Sequence, residues 1–436
     1  FEKSFIIFEF INHKSIKIVR ILLPFFIISI LIVVFIYSCS TEEEGLPDSP
    51  NVQAPEPEIQ EVEKISFNFH AHDVSNIAEI SENIFTVFSS GNNTGQNGVQ
   101  TPMKRLRYFT LNLNNENPKW ELKGDWDEGA ERDDFWWHRQ WMEEYDYDSN
   151  VENEHNNIIA VAPSLLDGNT VYFHLYNNPG RRWAQSNSLE DAMFAGLYRA
   201  NATGNYPNQE WNMEPIPIYY SNNITFDRGG PRAIDSNIWK DTDNQLYMTF
   251  GSWDPADQNV IVIADMDENT GRIDGFDQQT PGFYKEGGLD AFHTVATFGE
   301  GAFSYHKDNY YYLFLSLGGC CIGLDSTYYT VVGRSQNIYG PYLDKEGRSF
   351  SDTYPRDVAS PVALPGTTLM SGLLGETKYI GPGHPGIKEI NGRLCFSFHY
   401  YDGEENGVPK MGTRELKFDD SGWPYIVSEE EFNFIQ

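Results

Sequence analysis

Basic residues and cysteines are both scarce in this chain. Of 436 residues only 31 are Lys or Arg, against 63 Asp or Glu, a formal net charge of −32. A field of that sign repels phosphate backbones and anionic lipid surfaces, which excludes nucleic acid as a principal ligand and favours a neutral one. Four cysteines supply no disulfide framework. Two of them, Cys320 and Cys321, are adjacent; neighbouring Cα atoms stand about 3.8 Å apart, below the usual bridging range, so two buried thiols are expected rather than a strained bond. No His or third thiol lies at zinc-site spacing from that pair. Also missing are the G-x-x-x-x-G-K-[ST], G-x-S-x-G, H-E-x-x-H and paired C-x-x-C patterns. Nucleotide, serine-hydrolase and zinc-protease chemistries are left without a site.

What the chain has is apolar and aromatic side chains, 40% and 15% of its residues. A chain of this length and composition buries a large core, in one big domain or in two to three ordinary ones. The amino-terminal part stands outside it. Lys14, Lys17 and Arg20 precede an apolar run from Ile21 to Tyr37, which is followed by Ser38-Cys39. Residues 1–38 resemble a bacterial lipoprotein signal, with 1–13 as an upstream extension, and the resemblance implies lipidation of Cys39. An uncleaved anchor helix is the alternative, since such a run reaches the lower limit for spanning a bilayer. Residues 41–63, TEEEGLPDSPNVQAPEPEIQEVE, hold eight acids, four prolines and no basic residue, as expected of a disordered tether. The acids after Cys39 resemble the export signal of surface lipoproteins, which implies a lipid-anchored protein of the bacterial envelope, on the outer membrane and exposed.

From residue 64 to the end the chain repeats itself. Apolar runs begin at Phe85, Tyr247, Tyr312 and Phe396, and twelve residues before them stand Asp73, Asp235, Glu300 and His384. A weaker copy from Tyr172 puts Ala162 in that slot at a shorter spacing. The run from Tyr310 to Leu317 carries no charge, the mark of a strand buried on both faces. Five strand-rich units over roughly 370 residues, about 75 each, predict an all-β five-bladed propeller with equivalent inner-strand positions facing one central channel. Three acids and a histidine then converge on one axis.

Other features have two readings each. His70 and His72 alternate on a strand and are either ligands or structural. Residues 120–157 hold five of the ten tryptophans with thirteen acids and three basic groups, forming either a rim loop whose rings stack on sugars or the small core of an insertion. Trp253, just past a core run, is a sugar platform or a packing residue. Glycines around His384 let backbone approach closely, which suits a ligand or ion.

Two carboxyl groups flanking a bond, one a raised-pKa acid and one an ionised base, are the apparatus of glycoside hydrolysis, and a third nearby keeps the first protonated by repulsion. The alternative is four satisfied polar groups lining a water-filled channel. The run EGAF, YYYLFLS, CC, DSTY and VVGRS between Gly299 and Ser335, with RAID, GPGH and DDSGWP elsewhere, resembles glycoside hydrolase family 43, specifically its endo-arabinanases, over about residues 64–432. That resemblance implies an inverting enzyme cutting α-1,5-linked L-arabinofuranose chains of plant or algal arabinan. It also implies Asp73 as general base, Glu300 as general acid, Asp235 as the group that orients and tunes the acid, and His384 as the histidine that binds a calcium or sodium ion through water. HDVS, EGAF and APSL depart from the usual motifs without removing a carboxylate. An exo-acting arabinofuranosidase or xylosidase, and a non-catalytic glycan-binding surface lipoprotein, are the rival readings. A monomer is expected.

Overall fold

Alternating apolar residues on consecutive antiparallel strands give each sheet two faces that must both be covered. The structure, a computed structural model, describes residues 65–94, 100–125, 158–177, 195–214, 217–221, 231–252, 260–275, 291–352, 364–369, 377–427 and 431–435. Cys39, the acidic tether, residues 126–157 of the Trp-rich segment and Trp253 lie outside them. The described strands form five antiparallel sheets, each a four-stranded meander in chain order, and in two of them a fifth strand pairs back onto the third. The first comprises β1–β4 (Ala78–Ser81, Ile84–Thr94, Gln100–Asn112, Trp120–Asp125), and the second β5–β9 (Ile158–Asp167, Thr170–Asn177, Ala195–Thr203, Glu210–Met213, Tyr219–Ser221). The third comprises β10–β14 (Asn237–Lys240, Leu246–Phe250, Ile261–Asp267, Arg272–Ile273, Phe292–Ala296). β15–β18 (Glu300–Lys307, Tyr310–Leu317, Tyr329–Ser335, Thr367–Thr368) and β19–β22 (Tyr379–Ile390, Arg393–Asp402, Val408–Phe418, Pro424–Val427) complete the ring. This is the expected five-bladed propeller.

Among the described residues, each of the five large apolar cores is shared by two neighbouring blades. On β16, Leu313, Leu315 and Leu317 enter the core against the third blade, while Tyr312 and Phe314 enter the core against the fifth. Burial of both faces is why that run carries no charge; each such side chain contributes roughly 1.5–3 kcal/mol. Phe85, Val87 and Phe109 of the first blade meet Ile390, Cys395 and Met411 of the last. Phe432 and Phe434 join the same core, and the Ala71 N–H donates to the Pro409 carbonyl at 2.9 Å. First and last blades thus close the ring without a covalent link. Trp120 starts the outer strand β4 and packs edge-on against Phe67 and Phe434. The Trp-rich segment therefore contributes at least this tryptophan to the core, and residues 120–125 belong to the first blade.

The inner strands repeat more closely than the sequence spacing implies. His72 faces Ser90, Val161 faces His174, Ile234 bonds Gly251, Glu300 faces Ser316 and Gly383 faces His399. The next pairs join Ser75 to Phe88, Ser164 to Tyr172, Asn237 to Thr249, Phe303 to Phe314 and Gly386 to Ser397. Every inner strand thereby bulges at the same point. The first bulged residue has positive φ in all five: Asp73 (42°), Ala162 (47°), Asp235 (54°), Gly301 (53°) and His384 (54°). Glu300 thus stands one position ahead of the slot that the twelve-residue spacing assigned to it, at the place of His72. The spacing misses this because the apolar run of the fourth blade starts one residue early: the pairing sets Leu313, not Tyr312, at the place of Phe396.

Candidate active site

Bulging exposes a backbone N–H on each inner strand, and the neighbouring blade supplies the acceptor. Ser90 Oγ accepts the Ala162 N–H at 3.0 Å, Ser316 Oγ accepts the His384 N–H at 2.9 Å, and His399 Nδ1 accepts the Asp73 N–H at 3.2 Å. Between the second and third blades His174 Nε2 accepts the Ser236 N–H at 3.1 Å. The third blade has Gly251 where the others carry a side-chain acceptor, and there Asp235 Oδ2 takes the Gly301 N–H at 3.1 Å. Strained left-handed residues cluster where a ring of such bonds holds them, a recurrent property of functional sites.

Asp73 sits among three imidazoles. Its Oδ1 is 2.9 Å from His72 Nδ1, 3.8 Å from His384 Nδ1 and 3.7 Å from His399 Nδ1; Ser90 Oγ donates to Oδ2 at 3.1 Å. Burial by itself would raise its pKa, but the charge and hydrogen bond of His72, with His384 and His399 behind, hold the carboxyl well below the usual range. Glu300 shifts the other way. Burial pushes it up, hydroxyl donors on Tyr328 and Ser252 pull partly against that, and the Asp73 charge pushes it further up. The Ser252 bond measures 3.0 Å. Asp235 is raised well above the ordinary carboxylate value, by burial first and then by the charges of Glu300 and Asp73. Burial lowers His384 and lowers His399 further, so both rings are neutral.

Asp73, Asp235, Glu300 and His384, predicted to converge, are therefore brought into one cluster, while Ala162 leaves the second blade without a polar group in its slot. His72 proves to be a direct partner of Asp73. Sequence reasoning missed His399, Tyr401, Tyr328 and Ser252. His399 alone left a trace, as a polar residue inside an otherwise apolar run. Gly383 explains Tyr328: a Cβ there would meet the Tyr328 ring at 2.2 Å, so only glycine lets that ring lie against the inner strand with its hydroxyl at Glu300.

Cys320 and Cys321 are joined by a disulfide, not held as two buried thiols. The reason lies in the backbone. Cys321 adopts φ 67°, a left-handed conformation that turns its side chain back on its neighbour's, and it is exposed rather than buried.

The fold and this cluster define a five-bladed propeller that brings together one carboxyl group biased toward its ionised form and two biased toward the protonated form. The chain belongs to glycosyl hydrolases family 43, whose model matches residues 139–424. It is 32% identical over 192 residues to extracellular endo-α-(1→5)-L-arabinanase 1 of Bacillus subtilis, covering 44% of this chain and 50% of that protein. It is 35% identical over 136 residues to an extracellular exo-α-(1→5)-L-arabinofuranosidase of Cellvibrio japonicus, 31% of this chain and 35% of the relative. The matched segment thus spans from about a third to a half of these two relatives. In fold it is similar to a Cellvibrio cellulosa α-L-arabinanase complexed with arabinohexaose, at a TM-score of 0.56 and 20% identity over 82% of this chain and 96% of that one. The family 43 endo-arabinanase of Bacillus licheniformis gives 0.54 and 24% over 83% and 99%.

Proposed function

We propose that this protein is an inverting glycoside hydrolase that cleaves α-1,5-L-arabinofuranosidic bonds within arabinan. The observation that carries this reading is the opposite displacement of two carboxyl groups in one cluster. The imidazoles around Asp73 favour its ionised form, and burial favours the protonated form of Glu300. Groups pushed apart in this way divide the work of acid and base. Glu300 donates its proton to the leaving glycosidic oxygen, while Asp73 takes a proton from the water that attacks the anomeric carbon from the other side, so the configuration inverts. Asp235, bonded to the peptide that follows Glu300, orients the acid and shares in retaining its proton.

Family membership and the names of the relatives support the substrate class. An exo-acting enzyme is the second reading, favoured by the match to the Cellvibrio japonicus relative. Chromatography of products from debranched arabinan, with xylan and galactan as controls, tests both. A ladder of oligosaccharides supports internal cleavage, release of a single small product supports exo action, and no arabinan product sinks the proposal. Proton NMR of fresh product should show the inverted anomer.

The residues around His384 fit the calcium or sodium ion that the family resemblance implies. The buried His384 ring is neutral, so one of its nitrogens can accept a hydrogen bond from a water on the ion. His384 would hold the ion through water, and a bound cation would favour the ionised form of nearby carboxylates. We further propose that Cys39 is lipidated and holds the protein on the bacterial outer membrane. Cys39→Ala should release it from the membrane fraction; unchanged retention would favour the anchor helix.

A further inference from the structure

A line of hydrogen bonds leaves Asp73 in the direction of the disulfide. The Asp73 carboxylate only accepts, so His72 Nδ1, 2.9 Å away, carries the hydrogen. On the neutral ring His72 Nε2 is the acceptor and the Tyr401 hydroxyl, 2.7 Å from it, the donor; on the charged ring that bond reverses, and in both states the Tyr401 oxygen accepts the Cys321 N–H at 2.7 Å. Cys321 Sγ itself lies 3.9 Å from His72 Nε2. His72 stacks on His399 at 4.2 Å, and both His72 and Tyr401 are buried, so neither has water as an easy substitute.

We propose that His72 and Tyr401 are positioning residues for Asp73, and that the Cys320–Cys321 bridge fixes the far end of this relay. The bridge matters because Cys321 is held at φ 67°, a left-handed conformation that a non-glycine residue leaves when nothing holds it. Opening the bridge frees that turn and moves the N–H that Tyr401 accepts. Asp73 then loses one fixed orientation and with it part of its alignment on the attacking water, an effect on turnover rather than on binding.

This inference rests on reading Asp73 as the general base, and the test separates the two. Tyr401→Phe keeps the ring and removes the donor; kcat on arabinan should fall about tenfold with KM within twofold. Dithiothreitol, which reduces the bridge to two thiols and is itself oxidised to its cyclic disulfide, should lower kcat of the unmodified protein by a similar factor. It should lower Tyr401→Phe no further, because both act on one line of bonds. Unchanged kcat in Tyr401→Phe, or an equal dithiothreitol effect in both proteins, overturns the relay. If Tyr401→Phe does not fold, His72→Asn, which keeps an N–H beside Asp73, should retain more activity than His72→Leu; equal loss overturns the proposal. An active Asp73→Asn removes the base assignment itself, whereas an inactive Asp73→Asn beside an unaffected Tyr401→Phe removes the relay alone.

Discussion

Asp235 Oδ2 accepts the N–H of Gly301 at 3.1 Å, and Gly301 is the residue next to Glu300. One peptide thus couples two carboxyl groups on different blades, each displaced upward, with the Glu300 charge among the causes for Asp235. Coulomb repulsion is mutual, so the two acids titrate as a pair, and whichever ionises first holds the proton on the other. Asp235→Asn keeps the shape and leaves Glu300 to titrate without that partner. Glu300 should then give up its proton at lower pH, and the alkaline limb of the pH–rate profile should move down. An alkaline limb that stays in place would show that Asp235 does not tune the acid.

Glu300→Gln cannot donate a proton. Its kcat on arabinan should fall at least about 100-fold, the low end for general acid catalysis. Aryl arabinofuranosides with good leaving groups need little protonation and should lose much less. Steady-state rates on the two substrate types check this.

The same substitution should stabilise the fold above acid pH. Glu300 has its folded pKa raised above the ordinary 4.5. Below about that unfolded value both states hold the proton, and Glu300→Gln and the unmodified protein should melt alike. Between the unfolded and the folded pKa only the unfolded chain ionises, so the unmodified protein loses stability at about 1.4 kcal/mol for each pH step of one. Above the folded pKa it carries a desolvated charge and the loss is complete. Melting temperatures across pH 4 to 8 should therefore diverge, with Glu300→Gln the higher at pH 8.

Gly301→Ala tests the bulge. A Cβ there meets Ser316 Oγ at 3.2 Å and His384 Nδ1 at 3.3 Å, at φ 53°. Ala162 occupies the equivalent slot in the second blade, so the conformation is attainable, at a cost of about 1–2 kcal/mol for a residue with a Cβ. Urea unfolding should show a loss of about that size, and activity should fall further than stability because both Glu300 and His384 adjoin the new methyl group.

Chelation tests the ion. Treatment with EDTA should lower activity and added calcium should restore it, read as initial rate on arabinan. A rate indifferent to both would mean that His384 acts without a cation.

The five blades and their axial groups were legible because the same bulge recurs five times and three of its slots hold charged or ionisable side chains. The place of Glu300 was misjudged by one residue, since Gly299 and Gly301 on either side offer two left-handed positions and only backbone pairing selects between them. Tyr401 was hidden in the run Phe396–Asp402, where its ring does not differ by type from core, and His399 left only the trace of one polar ring there. The bridge at Cys320 was hidden for another reason: adjacency argues against it until the left-handed turn at Cys321 is known. Trp253 lies outside the described residues.

The ring closes where its chemistry lies. Asp73 comes from the first blade, while His384, His399 and Tyr401 come from the last, and the Asp73 N–H bonds His399 across that seam. A ribosome therefore delivers Asp73 more than three hundred residues before these partners, and until the fifth blade has emerged and docked only His72 and Ser90 of its own blade hold the carboxylate. A chain still short of its fifth blade therefore carries half of this cluster, and the seam completes it only once synthesis has ended.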